Sequence, residues 1–175
     1  MINHDSDHMS GSHPEVMENL KQTDTTPHII VAPTDLSYAE AITRFQVDMA
    51  SESEGISLNF ERTLRGVQSV LQDESKGRYI LTLIDGKPAG SLMLTREWSD
   101  WNCCWYLWIQ SVYVVPDYRK KGIFKAMYTK VLELAKSEGI TQVRLYVDKG
   151  NHKAQTVYQK SGMSECHYLM YEVEL

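Results

Sequence analysis

The chain has 175 residues, 42% hydrophobic and 23% charged, with a formal net charge of -5, which suits one globular domain with its own core. The acidic balance argues against binding nucleic acid through the whole surface. No apolar run approaches the roughly 18–20 residues of a membrane span, and the first twenty residues lack the apolar core of a signal peptide.

Residues 1–26 are polar, with His4, His8 and His13 among Asp, Ser and Gly. They are read as a disordered or expression-derived tail, in preference to a weak metal site, and 27–175 as the folded domain. "HIIVA" at 28–32 predicts a first strand. Tyr38, Ala41, Ile42, Phe45 and Met49 then recur at helical spacing, with Ser37 as the expected cap. A second stripe follows, of Phe60, Leu64, Val67 and Leu71, with Asn59 as its cap. The period changes at residue 78. "RYILTLIDGKPAGSLMLTREW" reads as two strands joined at Asp85-Gly86, a hairpin signal. "CCWYLWIQSVYVV" predicts a central strand, with Tyr106, Trp108 and Gln110 on one face and Trp105, Leu107 and Ile109 on the other.

Pro116-Asp117 ends that strand. A helix is expected over about 122–137, burying Phe124, Met127, Tyr128, Val131, Leu132 and Ala135, with Gly139 past its end. "QVRLYVD" alternates, with Val143, Leu145 and Val147 on one side. A short helix over 152–161 should turn Ala154, Val157 and Tyr158 inward and stop at Gly162. "SECHYLMYEVEL" reads as a final strand. The order is β-α-α-β-β-β-α-β-α-β, without repeat or linker, which predicts a single α/β (α+β) domain. Cys103, Cys104 and Cys166 show no CxxC spacing, which favours a reducing, cytoplasmic setting over a disulfide framework.

The chemistry gathers at "VVPDYRKKGIFKAM". Arg119, Lys120, Lys121 and Lys125 surround the start of a helix in an acidic chain. Helix N-termini carry unpaired N–H groups and a positive dipole end, so cations there are mildly disfavoured unless an anion is bound between them. Gly122 would let a ligand approach the backbone. Neither GxxxxGK[ST] nor GxGxxG is present, so P-loop and dinucleotide sites do not fit.

"RKKGIF" resembles the acyl-CoA pyrophosphate loop, [RQ]xxGx[GA], of the GNAT superfamily of N-acetyltransferases, and "NHKAQTVYQKSGM" is similar to that family's later motif. The two occur in the expected order and spacing, and the resemblance covers roughly 78–175. It implies a mixed sheet with splayed parallel strands, here "SVYVV" and "VRLYV", flanked by helices. It implies acetyl-CoA as co-substrate and no metal. It matches Val112, Tyr113 and Val114 to the backbone that pairs with the pantetheine arm. Arg119, Lys120, Lys121, Gly122, Ile123, Phe124 and Lys125 match the pyrophosphate loop, Asn151 a contact to the cofactor arm, and Tyr158 the general acid. The implied reaction is direct acetyl transfer to a primary amine of a small molecule or peptide, with no nucleic-acid or membrane partner. Homodimers are common in the family.

Tyrosine chemistry agrees, since a phenol with a pKa of about 10 can protonate a departing thiolate. Asn151 and Tyr158 are two helical turns apart and can share a face. Two positions depart from the pattern. Phe124 stands where the family has Gly or Ala, and Trp108 where many members carry a basic Glu. Glu52, Glu54, Glu97, Asp100 or water are the remaining base candidates. The Trp-rich strand face is a candidate acceptor wall. A non-catalytic acyl-CoA sensor and an enzyme for longer acyl donors are the rival readings.

Overall fold

A computed structural model describes residues 26–175 apart from 32 and 34. The expected tail over 1–26 therefore lies, except for Thr26, outside the described residues. In chain order the elements are β1 (His28–Val31), a 3-10 turn (Leu36–Tyr38), α1 (Ala39–Glu54), α2 (Phe60–Gln72), β2 (Arg78–Ile84), β3 (Lys87–Ser99), β4 (Cys104–Val114), α3 (Ile123–Ser137), β5 (Gln142–Leu145) and α4 (His152–Lys160). The strands form one sheet in the order β1-β2-β3-β4-β5. All pairs are antiparallel except β4–β5, which is parallel. This is the mixed sheet with flanking helices that the family resemblance implies.

The period-2 runs of β2 and β3 put apolar side chains on both faces, because helices cover the sheet on both sides. On one face α1 and α2 bury Ile42, Phe45, Val67 and Leu71 against Tyr79, Leu81, Leu83 and Tyr113. On the other, α3 buries Ile123, Met127 and Val131 against Ile80, Leu92, Leu94, Leu107 and Ile109. Each fully buried aliphatic side chain contributes roughly 1.5–3 kcal/mol. The β2–β3 hairpin turns at Asp85 and Gly86, both at positive φ (48° and 72°), the primed turn that suits the twist of the strands. Asn59 caps α2 as expected, its Oδ1 accepting from the Arg62 N–H.

The C-terminal end of α3 is fixed to the sheet by charge. Glu138 pairs with Arg78 of β2 and Arg96 of β3, each at 2.6 Å. Burial opposes the ionised form of Glu138, but Arg78 and then Arg96 hold its carboxyl below the usual 4.5. A depressed folded-state pKa contributes stability that is present above the unfolded value and is lost as pH falls through the folded one. Glu138→Gln is therefore expected to cost about 2 kcal/mol in urea unfolding at pH 7, between the values for exposed and buried pairs. That difference should shrink steadily as the pH is lowered below 4.5.

Four local expectations are corrected. Ser37 does not cap the first helix with its side chain; Asp35 caps the preceding 3-10 turn, accepting from the Ser37 N–H at 2.8 Å. Strand β5 is only four residues long, so Val147 lies beyond it. Val157 is 42% exposed on the outer side of α4. The final strand does not form, and residues 164–175 are exposed without a ladder. Alternation there signals strand propensity, but a strand also needs an edge to pair with, and within this one chain none is engaged.

Candidate active site

The opening in the sheet begins with a β-bulge. Ser91 of β3 faces Tyr113, but Met93 faces Gln110, so β4 carries an extra residue in between. Ser111 sits there at φ 53°, a left-handed conformation rare for a residue with a side chain. The parallel β4–β5 ladder runs only from Tyr106–Gln142 to Ile109–Leu145. Beyond it, among the described residues, β4 has no strand on that side, so the backbone of Val112, Tyr113 and Val114 borders a gap. Tyr146, just past β5, is exposed, its ring 6.3 Å from that of Trp108.

The helix that follows β4 begins at this gap. Lys120 (φ 62°) and Gly122 (φ 81°) are both left-handed, and Gly122 is the N-cap of α3, with no side chain capping the helix. The first bond into the helix comes from the Ala126 N–H to the Gly122 carbonyl, 2.9 Å. The preceding N–H groups therefore open outward as an anion cradle. A Cβ built on Gly122 meets nothing within 4 Å. Lys120, Lys121 and Lys125 are exposed around the cradle and, among the described residues, form no ion pair. The Lys121 ammonium lies 5.6 Å over the Tyr118 ring.

Three other predicted loop residues are used differently. The Arg119 guanidinium turns back, with Nε donating to the Val114 carbonyl at 2.8 Å and an ion pair to Glu52 at 2.6 Å. It also lies 5.3 Å over the Tyr113 ring. Its partner is 67 residues upstream, beyond what local spacing can reveal. Ile123 is in the core, so only its backbone can reach a ligand. Phe124 packs between Tyr128 (5.8 Å, nearly parallel) and Tyr158 (5.5 Å). The residue that departs from the motif thus joins α3 to α4.

Asn151 caps α4, its Oδ1 accepting from the Ala154 N–H at 3.1 Å. The Gln155 amide donates to the carbonyls of Asp148 and Lys149 at 3.0 and 2.9 Å, which fixes the loop after β5. Two turns on, Tyr158 is half-buried against Phe124, and burial raises its hydroxyl pKa above the ordinary 10. The hydroxyl therefore keeps its proton at neutral pH.

On the α1–α2 side of the sheet, the Trp108 indole N–H donates to Glu97, whose other oxygen is 3.5 Å from Arg144. Arg144 lies 4.1 Å over the Tyr106 ring, and the Gln110 amide donates to Thr95 at 2.7 Å. Glu52 accepts from the Tyr113 hydroxyl at 2.8 Å. Burial works against the ionised form of Glu52, but the bonds from Arg119 and Tyr113 leave its carboxyl below the usual range. Burial, and then Glu52, push Tyr113 up to about 12. Glu54 and Asp100 are exposed. Of the four carboxylates considered, Glu97 alone touches Trp108, arriving from the neighbouring strand. Trp98 and Trp105 meet edge to face at 5.2 Å but stay half exposed, and Trp101 projects outward. The Trp cluster therefore narrows to Trp108 at the opening.

A groove of about 560 Å³ lies along the opposite flank of α3, lined by Pro27, Ile29, Gly122, Lys125, Ala126 and Thr129 among others, and meets the cradle at Gly122 and Lys125. Among the described residues no cluster of three or more His, Cys, Asp or Glu could hold a metal. No helix there is long and apolar enough to cross a membrane.

The Acetyltransferase (GNAT) family model matches residues 40–163. The chain belongs to that family. A solved structure described as a possible acetyltransferase from Clostridium difficile 630 is 38% identical, with a TM-score of 0.78 over 85% of this chain and 97% of that one. A predicted acetyltransferase from Clostridium acetobutylicum, solved with acetyl-CoA, shares the fold at 17% identity and a TM-score of 0.67, over 84% of this chain and 96% of that one. Among curated relatives, the thialysine N-epsilon-acetyltransferase of Sus scrofa is 33% identical over 85 residues, 44% of this chain and 48% of the relative. The chain thus spans about half, or less, of the curated relatives it matches.

Proposed function

We propose that this GNAT-family chain is an acetyl-CoA-dependent N-acetyltransferase that moves an acetyl group directly to a primary amine of a small molecule or peptide. The observation that carries the reading is the uncapped N-terminus of α3, ringed by free lysines and opening on the gap where β5 leaves β4. That cradle fits a pyrophosphate, held by the N–H groups of 122–125 with Lys120, Lys121 and Lys125 around it. The free β4 edge at 112–114 fits an amide-bearing arm laid down like a strand, and Asn151, at the start of α4, would contact that arm. Acetyl-CoA supplies an activated thioester. The acetyl-CoA in the Clostridium acetobutylicum structure, and the ε-nitrogen specificity in the name of the pig relative, support donor and acceptor class respectively.

In this chemistry the neutral amine attacks the thioester carbonyl, a C–N bond forms and the C–S bond breaks. Tyr158 gives its proton to the departing thiolate, and the proton lost by the amine leaves through Glu97 or water. Glu52 is held ionised by Arg119 and is a weak base; its place is to brace Tyr113 and the loop. Glu97→Gln is expected to lower kcat/KM about tenfold, less than the hundredfold or more of a directly placed base, as befits action through water. An unchanged kcat/KM would send that proton straight to solvent.

Thermal unfolding tests the donor. Acetyl-CoA at a hundredfold excess over Kd should stabilise the fold by about 2.7 kcal/mol, and longer acyl-CoAs by less. No shift with any acyl-CoA would overturn the reading; a larger shift with a longer acyl chain would change the donor. Trp108, in place of the usual carboxylate, favours a second reading, an acyl-CoA sensor that binds without turnover.

A further inference from the structure

Helix α4 carries Tyr158, yet little holds the helix in place. It has nine residues and buries none of them. Isolated helices shorter than about 12–15 residues are marginal in water, so its position depends on contacts with other elements. The side-chain hydrogen bonds of the helix and its cap are local. Asn151 and Gln155 fix the start, and the Thr156 hydroxyl donates to the His152 carbonyl. Among the described residues none of these bonds reaches the Tyr158 hydroxyl. Met163, just past the helix, packs against the α3 core. Within α4, the Tyr158 ring meets Phe124 at 5.5 Å, inclined by 59°. Phe124 is itself fixed, nearly parallel to the Tyr128 ring at 5.8 Å, and Tyr128 is buried in the core.

We infer that Phe124 is the positioning residue for Tyr158: its ring, held on Tyr128, sets the direction of the phenol and keeps water from one side of it. The inference rests on the proposed role of Tyr158 as proton donor. Phe124 is the second residue of α3, so its backbone N–H belongs to the proposed pyrophosphate cradle while its side chain touches the acid. One residue therefore ties the anchor of the acyl donor to the group that protonates the leaving thiolate. A misplaced acid costs rate more than binding. Burial raises the Tyr158 hydroxyl above its ordinary 10, and the Tyr128 hydroxyl in the same direction, so both keep their protons at neutral pH. The other titratable side chains of α4, His152, Lys153 and Lys160, and Lys125 beside Phe124, are exposed to water.

Phe124→Ala tests it, since alanine keeps the N–H and suits a helix. In protein carrying ring-labelled tyrosine, the Tyr158 signal is the one that Tyr158→Phe removes in either background. NMR titration should find that signal moving at lower pH in Phe124→Ala than in wild type, toward the ordinary 10. Kinetics use acetyl-CoA and the fastest amine of a panel of amino acids, polyamines, aminoglycosides and peptide amines. In Phe124→Ala, kcat should fall about tenfold, with KM for acetyl-CoA nearly unchanged. The double variant Phe124→Ala, Tyr158→Phe should be no slower than Tyr158→Phe alone, since losses that act through one group do not multiply. Phe124→Leu keeps apolar bulk on Tyr128 and should recover part of kcat; it carries the same comparisons should Phe124→Ala fail to fold. An unmoved Tyr158 titration overturns the inference, and so do losses that multiply in the double variant. A slow Tyr158→Phe beside a fast Phe124→Ala overturns it alone. Unchanged turnover in Tyr158→Phe overturns it together with the proposed acid.

Discussion

Tyr158→Phe is expected to lower kcat more than tenfold and to leave acetyl-CoA affinity nearly unchanged. The substitution removes one hydroxyl and keeps the ring that packs on Phe124 at 5.5 Å, so the contact between α3 and α4 survives. The lysines and N–H groups of the cradle belong to other residues, which is why binding should hold. A positioned proton donor contributes about 10²–10⁴ in rate; the lower figure of tenfold allows for protonation of the thiolate by water in the variant. Burial raises the tyrosine pKa above its ordinary 10. The alkaline fall in wild-type kcat should therefore come at higher pH than for an acid of ordinary pKa, which would be half lost at pH 10. Steady-state kinetics across pH, with acetyl-CoA binding measured separately, check both parts. Unchanged turnover in the variant would remove Tyr158 from the mechanism.

The second large effect is at the cradle. Gly122→Asp should weaken acetyl-CoA binding by more than tenfold while the fold is kept. Residue 122 has φ 81°, and a Cβ there meets nothing within 4 Å, so the cost is conformational and not steric. Asp is among the few side chains that accept a left-handed backbone. Its carboxylate would then stand at the mouth of the N–H groups, where a pyrophosphate is proposed to lie, and would repel it. Because that repulsion is between exposed charges, added salt should recover part of the loss. Calorimetric titration at two ionic strengths, alongside a thermal melt, measures affinity and fold together. Undiminished affinity would place the anion elsewhere, with the groove along the other flank of α3 as the first alternative.

What could be read from the sequence was local. Turn residues at Asp85-Gly86, the Asn59 cap and the helical stripe of α3 each depend on neighbours within a few positions, and each is found in the structure. What escaped depends on which strand lies opposite. Strict alternation along β4 would place Ile109 and Tyr113, four apart, on one face. They belong to opposite cores, because the bulge at Ser111 reverses the alternation. That bulge lies where the β4 edge becomes free, so the local failure of the pattern marks the candidate site. Arg119 was grouped with the lysines by adjacency, and only the packing of α1 against β4 brings Glu52 to it. Glu97 reaches Trp108 across a ladder whose register no spacing encodes. Phe124 read as an exception to a motif, and it is the packing surface for Tyr158. The final strand was overread because alternation reports a readiness to pair and is silent on the partner.

The most direct test of the central claim is thiol release from acetyl-CoA by the purified chain against a panel of amines, spanning amino acids, polyamines, aminoglycosides and peptide amines, with the products weighed by mass spectrometry. The account predicts that at least one primary amine raises free CoA well above the rate of hydrolysis, with one N-acetyl product formed for each thiol released. Saturable binding of acetyl-CoA with no amine-dependent thiol release across the panel would contradict it and make the chain a sensor.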